Sequence, residues 1–77
     1  MQNREEAEMP KGRIKWFDNK KGFGFITSPA VSHEDIFVHY RDVVGSGYKI
    51  LRGGEQVNFE CVETQKGFRA SYVQRVD

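Results

Sequence analysis

The stretches KGFGFIT (residues 21–27) and DIFVH (residues 35–39) decide how this chain folds. Phenylalanine alternates in both with glycine or an aliphatic residue, and a period of two residues is typical of a β-strand. The aliphatic side chains and the phenylalanines therefore lie on opposite faces: Ile26, Ile36 and Val38 on one, and Phe23, Phe25 and Phe37 on the other.

The aliphatic residues are numerous enough to form one small core. If they face inward, the three phenylalanines face outward, and a contiguous exposed apolar patch usually marks a contact surface. The reverse assignment, with the phenylalanines inside, fits the same alternation, so alternation alone leaves both open. The predicted core consists of Ile14, Ile26, Ile36, Val38, Val57 and Phe59.

Turn signals recur at short intervals along the chain and separate segments rich in β-branched and aromatic residues. They predict five strands near residues 11–18, 22–27, 35–39, 56–64 and 68–76. A short helical turn is expected after the third strand, because Gly45 and Gly47 prevent a longer helix. Five short strands predict an all-β closed barrel, which hides the edges that an open sheet exposes.

Length and composition restrict the class of protein. The chain has 77 residues and a single cysteine, which indicates one small domain without an internal disulfide rather than a multidomain enzyme. No apolar run approaches the roughly 20 residues of a membrane helix, and residues 1–9 lack the apolar segment of a secretory signal. We therefore expect a cytoplasmic protein with no membrane association.

Charge is unevenly distributed although the formal net charge is only +1. Residues 1–9 carry one arginine and three glutamates, a net charge of −2, whereas residues 10–27 carry five lysines and arginines and one aspartate, +4. We expect residues 1–9 to be a flexible acidic N-terminal extension and residues 10–77 to form a domain with a basic face. The alternative interpretation is a lysine-rich hairpin that is simply exposed to solvent, because it would have the same excess of positive charge.

Cations beside flat rings suit single-stranded nucleic acid, because bases stack on the rings while phosphates pair with lysine and arginine. Lys15, Lys21 and His39 flank the predicted phenylalanine patch. Gly22 and Gly24 leave the rings uncovered. The alternative is a protein-interaction or self-association module that uses the same aromatic face.

Metal binding and catalysis are poorly supported by the sequence. His33, His39 and Cys61 lack the paired short spacings of zinc sites. Cys61 shares its register with Val57 and Phe59, which predicts a buried thiol rather than a nucleophile. We expect no metal, no cofactor and no enzymatic activity.

Three motifs carry a resemblance to a known family. GRIKWF (residues 12–17), KKGFGFI (residues 20–26) and DIFVHY (residues 35–40) stand in the order and near the spacing of the cold-shock domain. The similarity covers residues 10–76, and the chain resembles the bacterial small cold shock proteins in particular. The second and third motifs look like the two ribonucleoprotein motifs.

The resemblance implies a five-stranded antiparallel barrel of the oligonucleotide-binding (OB) type with its aromatics outside and its aliphatics inside. It implies a non-catalytic binder of single-stranded RNA and DNA with low sequence specificity. In the cell it implies an RNA chaperone that acts on transcription termination and translation, often in the cold. We expect a monomer, with a strand-exchanged dimer as the alternative.

The resemblance also assigns site residues by motif position. Stacking rings fall at Trp16, Phe17, Phe23, Phe25, Phe37, His39, Tyr40 and Tyr48. Basic contacts fall at Lys15, Lys21 and Lys66, and a carboxylate that accepts a hydrogen bond from a base falls at Asp35.

Strict alternation does not place both aromatics of the first motif on the binding surface. It puts Trp16 with Ile14 and Phe17 with Lys15, so we expect a bulge near Asp18.

The chain departs from the family pattern at three aromatic positions. Tyr40 replaces the usual phenylalanine, Phe68 a proline or small residue, and Tyr72 a common asparagine. Phe68 and Tyr72 either enlarge the aromatic surface or pack locally, and we favour packing.

Overall fold

Five strands make up most of the regular structure in the computed structural model, which describes residues 9–45 and 50–76. A 3-10 turn, Tyr40–Asp42, follows the third strand. Each predicted strand is present to within one residue. Among the described residues, no helix has the length and apolar character needed to span a bilayer. The strands are β1 (Lys11–Asp18), β2 (Phe23–Thr27), β3 (Ile36–His39), β4 (Gln56–Thr64) and β5 (Gly67–Arg75).

The strands close into a barrel in the order β1-β2-β3-β5-β4, with β4 paired to β1. β1 is antiparallel to both β2 and β4, and these are antiparallel to β3 and β5 respectively. β3 and β5 therefore run in the same direction and meet in a parallel pair at Phe37 and Arg69. The predicted all-β barrel is confirmed, with this one parallel junction added to the antiparallel description.

The core consists of aliphatic side chains and one phenylalanine, each at most 2% exposed. All six predicted core residues are among them. Burial of one such side chain contributes about 1.5–3 kcal/mol to stability. The core also includes residues outside the predicted set: Val43, Leu51, Ala70 and Val73.

A bulge in β1 redirects the strand. Ile14 pairs with Ile26 and Trp16 pairs with Phe25, so Lys15 is the extra residue. The expected bulge is present, but its predicted position near Asp18 is wrong. An extra residue reverses the alternation beyond it, and Trp16 therefore points outward.

A second bulge lies in β5. Asn58 pairs with Gln74 but Glu60 pairs with Ser71, so two residues, Tyr72 and Val73, stand opposite Phe59. Tyr72 adopts a φ of 52°, a left-handed conformation that favours glycine and asparagine. The bulge turns Val73 into the core, whereas the Tyr72 side chain is 59% exposed.

Replacing Tyr72 tests whether this residue is strained. Tyr72→Asn suits the left-handed backbone, and the exposed ring gives up little packing. We expect the free energy of unfolding to rise by about 0.5–1 kcal/mol, measured by urea denaturation. Tyr72→Phe keeps the strain and should leave stability unchanged; an asparagine variant less stable than wild type would argue against strain.

Candidate nucleic-acid interface

Four aromatic rings lie side by side on the outer face of β1, β2 and β3. We call Trp16, Phe23, Phe25 and Phe37 the ring platform. The Trp16 ring centroid lies 5.7 Å from that of Phe23 and 5.4 Å from that of Phe25. The Phe37 centroid lies 6.0 Å from Phe23 and 5.8 Å from Phe25. These separations are typical of aromatic pairs in contact, so the rings form one continuous surface.

The platform is partly open to solvent. Trp16 is 42% exposed, and the three phenylalanines are half-buried because neighbouring rings pack against them. The aliphatic residues of β2 and β3 occupy the opposite face, inside the barrel. The outward direction of Phe23, Phe25 and Phe37 is thus confirmed.

Gly24 allows β1 and β2 to approach closely enough to bring Trp16 beside Phe25. A Cβ atom at this position would lie 2.7 Å from Phe17 Cα and would overlap the Trp16 carbonyl oxygen. Backbone atoms cannot move aside as a flexible side chain can. A side chain at residue 24 would therefore separate the strands that hold the platform together.

Two glycine-to-alanine variants test this close approach. We expect Gly24→Ala to lower the free energy of unfolding by about 1–3 kcal/mol, the usual cost of overpacking. At Gly53 an added Cβ would meet only the Lys15 carbonyl oxygen, at 3.4 Å, so Gly53→Ala is the matched control. Equal urea midpoints for the two variants would contradict this account.

His39 and Tyr40 form a second aromatic pair at the end of β3. Their ring centroids lie 4.7 Å apart, and His39 faces Phe23 across the β2–β3 pair. The Arg41 amide donates a hydrogen bond to His39 Nδ1 at 3.2 Å, which orients the imidazole. Tyr40 lies over Gly22, where a Cβ would clash with its ring. This pair therefore extends the aromatic surface along β3.

Lysines border the aromatic surface at two separate turns. Lys21 is exposed in the turn between β1 and β2, and Lys66 is exposed at the tip of the β4–β5 hairpin. The amides of Lys20 and Lys21 donate to Asp18 Oδ1 at 2.9 Å and 3.0 Å, and these bonds fix the first turn. The turn thus fixes the backbone of Lys21 two residues before Phe23, and its side chain is exposed.

Lys15 and Asp35 form an ion pair across β2, with 2.9 Å between Nζ and Oδ2. Both side chains are exposed, and such surface pairs contribute only about 0–1 kcal/mol. A phosphate can therefore take the Lys15 ammonium from Asp35 at little cost. In this structure the Asp35 carboxylate accepts a hydrogen bond from Lys15, and its predicted role as an acceptor for a base stays a prediction.

Phe17 does not lie on the ring platform. It pairs with Gly24, which places its ring on the inner side of β1, where it is half-buried and packs against the core. The expectation that both Trp16 and Phe17 face the binding surface is wrong, because the bulge precedes both residues and alternation continues between them. Tyr48 and residues 1–8 lie outside the described residues.

Phe68 lies beside this surface and was not assigned to the site from the sequence. It is half-buried, shares the core-facing side of β5 with Ala70 and packs against the core, and it is among the residues that line a groove with Phe25 and Phe37. The parallel pairing of Phe37 with Arg69 brings this part of β5 next to the platform, and it joins residues far apart in the chain. In the sequence, the one indication of this was that Phe68 departs from the family pattern.

Cys61, the single cysteine, is not suited to act as a nucleophile. Cys61 is half-buried against the core, and burial raises the pKa of its thiol, with the charge of Glu63 adding to the effect. A protonated thiol is a poor nucleophile. Within residues 9–45 and 50–76, no three histidine, cysteine, aspartate or glutamate side chains are arranged to hold a metal ion.

Comparison with known proteins places these features in a family. Residues 10–76 match the 'Cold-shock' DNA-binding domain. Cold shock protein CspD of Bacillus subtilis is 48% identical over 65 residues, covering 84% of this chain and 96% of the relative. Major cold shock protein CspA of Pseudomonas aeruginosa is 49% identical over 65 residues, covering 84% and 91% respectively.

A solved structure supports the fold independently of close sequence similarity. The Drosophila Unr CSD456 structure superimposes with a TM-score of 0.74 at 17% identity. The match covers 91% of this chain and 27% of the larger one. At this sequence identity the similarity shows only that the two proteins share the barrel fold.

Proposed function

The chain belongs to the cold-shock domain family of nucleic-acid-binding proteins, and on this premise we propose that it binds single-stranded RNA and DNA without catalysis. Unpaired bases stack on the ring platform, and phosphates pair with the lysines at its border. The observation that carries the proposal is the row of contacting rings, from Trp16 to Phe37, on the outer face of the barrel. Base–aromatic stacking contributes about 1–3 kcal/mol per base.

Single strands fit this surface better than duplexes. In a duplex each base face is covered by its neighbours, whereas an unpaired base can turn out and lie flat on a ring. Every base has such a face, so specificity should be low. Asp35 is the residue that can add base specificity. Its carboxylate can accept a hydrogen bond from a base edge once Lys15 pairs with a phosphate instead.

Preferential binding to open strands gives the protein the action of an RNA chaperone. Binding shifts the population of an RNA from hairpins to unpaired forms and requires no ATP. Hairpins form and melt during transcription termination and translation, and cooling stabilises them. We therefore place the cellular role in these processes, in the cytoplasm, with the protein acting as a monomer.

Removing single rings tests the stacking contact. We expect Phe23→Ala and Phe37→Ala each to weaken binding of an unstructured oligonucleotide about 5- to 150-fold, which corresponds to the loss of one stacked base. Isothermal titration calorimetry measures the effect. Val76→Ala, which trims an exposed apolar side chain outside the platform, is the control. Unchanged affinity in both phenylalanine variants would falsify base stacking on the platform.

The salt dependence of the binding affinity distinguishes the role of the lysines from the role of the rings. Each phosphate contact on a single strand contributes about 0.7 to the slope of log affinity against log salt concentration. Lys21→Gln and Lys66→Gln should therefore each reduce the slope by about that amount, whereas Phe37→Ala should lower affinity and keep the slope. If the phenylalanine variant changes the slope and the lysine variants do not, the assigned roles are wrong.

The same rings would also suit self-association or a peptide partner. The single tryptophan, Trp16, reports on this choice because it lies in the platform. Quenching of its fluorescence by an oligopyrimidine supports nucleic-acid binding. Unchanged fluorescence, together with a size that grows with protein concentration, would favour association instead.

A further inference from the structure

The second half of β4 is paired on one side only within residues 9–45 and 50–76. β5 pairs with β4 as far as Thr64, whereas β1 pairs with it only from Gln56 to Asn58. One further bond on the β1 side joins the Phe59 amide to the Pro10 carbonyl at 3.0 Å. Beyond that bond, the edge of β4 lacks a partner strand in the part of the chain that the structure describes.

Pro10 explains why the pairing ends there. A proline has no N–H, so it accepts a hydrogen bond from Phe59 but cannot donate one to the Phe59 carbonyl. β1 begins one residue later, at Lys11. The free edge of β4 is therefore a consequence of the sequence at the start of the domain.

Backbone alternation shows which groups this edge exposes. Along a strand, the N–H and C=O groups of successive residues point to opposite sides in the plane of the sheet. Phe59 directs its N–H toward β1, so Cys61 and Glu63 direct theirs to the same side, whereas Glu60 and Val62 direct theirs to β5. No described loop forms a backbone hydrogen bond with Cys61 or Glu63. These two residues thus offer two donors and two acceptors to an added strand.

The side chains along this edge are acidic, with one exposed apolar residue. Glu60 and Glu63 are exposed, and neither forms an ion pair with another described residue. Val62, between them, is 45% exposed. Charged side chains on an edge strand discourage pairing with strands of like charge. Two glutamates therefore leave the edge open to a cationic strand.

We propose that the free edge of β4 binds an extended segment, rich in lysine or arginine, of a partner protein by β-strand addition. The backbone of the partner pairs with Cys61 and Glu63, and its cations pair with the carboxylates of Glu60 and Glu63. β4 carries none of the ring platform. The inference therefore goes beyond the proposed function and does not depend on it.

Charge favours this occupant over the alternatives. A second copy of the chain, paired through β4, would bring the glutamates of both edges together, and like charges across a ladder are destabilising. Residues 1–8 carry three glutamates and one arginine, so they meet the same repulsion. A nucleic acid would bring phosphates to the two carboxylates.

The strand register specifies the sequence pattern of the partner. In an antiparallel pair, the residues opposite Glu63 and Glu60 lie three positions apart and should be cationic. The residues between them, opposite Val62 and Cys61, should be apolar. The peptide TKVVKT has this pattern and serves as the probe.

Hydrogen exchange of single amides, measured by NMR on the full chain, tests the proposal. Without peptide, the amides of Cys61 and Glu63 should exchange faster than those of Glu60 and Val62, which bond to β5. With TKVVKT at about ten times its Kd, exchange at Cys61 and Glu63 should slow about tenfold, because only the free fraction exchanges.

Two control peptides separate strand addition from simple charge attraction. TEVVET reverses the charge and should not slow exchange. TKVVKT that is N-methylated at its second and fourth residues keeps the charge but loses the amides opposite Glu63 and Cys61. It should bind more weakly than the unmodified peptide, and equal affinity would overturn strand addition.

Two variants test the carboxylates. We expect Glu60→Gln and Glu63→Gln each to weaken binding of TKVVKT about 1.5- to 5-fold, the size of one cross-strand charge pair. Glu34→Gln removes an exposed glutamate outside β4 and is the matched control. All three variants should bind an oligonucleotide alike. Glutamine variants that bind the peptide as well as Glu34→Gln does would contradict the assigned charge pairs.

The remaining outcomes identify a different occupant, and each overturns the proposal. Protection of Cys61 and Glu63 in the free chain that disappears when residues 1–8 are deleted assigns the edge to that segment. Protection that grows with protein concentration assigns it to a second copy. Protection that appears with an oligonucleotide assigns it to nucleic acid, and exchange that millimolar TKVVKT leaves unchanged shows that the edge binds no such strand.

Discussion

The burial of Ile26, Ile36 and Val38 inside the barrel determines the direction of every ring on β2 and β3. Side chains alternate along a strand, so a slip of one residue would exchange the aliphatic and aromatic faces. These three side chains have no measurable exposure, and the loss of their burial opposes such a slip. The exposed aromatic surface is therefore a consequence of core packing. The same contacts that stabilise the fold keep the rings on the outer face of the barrel.

Two bulges place side chains on faces of the strands where strict alternation would not put them. The extra residue at Lys15 turns Trp16 outward, and Gly24 lets that part of β1 lie against β2. In β5 the bulge at Tyr72 turns Val73 into the core, and Val73 then bridges to Val43 beyond the 3-10 turn. The first bulge completes the ring platform and the second completes the barrel that supports it.

The sequence predicts the strands, most of the core and the aromatic face, because each of these follows from a period of two and from nearby turn residues. It does not locate the β1 bulge, since no glycine or asparagine marks Lys15, and so it misplaces Phe17. Val43 and Leu51 lie outside the strands, where no periodicity reports burial. Phe68 comes next to the platform through the parallel β3–β5 junction, which depends on closure of the whole barrel and has no local signature.

In the proposed function, stacking contributes most of the binding free energy, because a chain with a net charge of +1 has little long-range attraction for phosphates. The most direct measurement is NMR of the complex with a short unstructured oligonucleotide. Base stacking on the platform predicts intermolecular nuclear Overhauser effects between base protons and the ring protons of Trp16, Phe23 and Phe37. Base contacts confined to exposed β4 side chains such as Glu60 and Val62, with the platform rings unaffected, would contradict it.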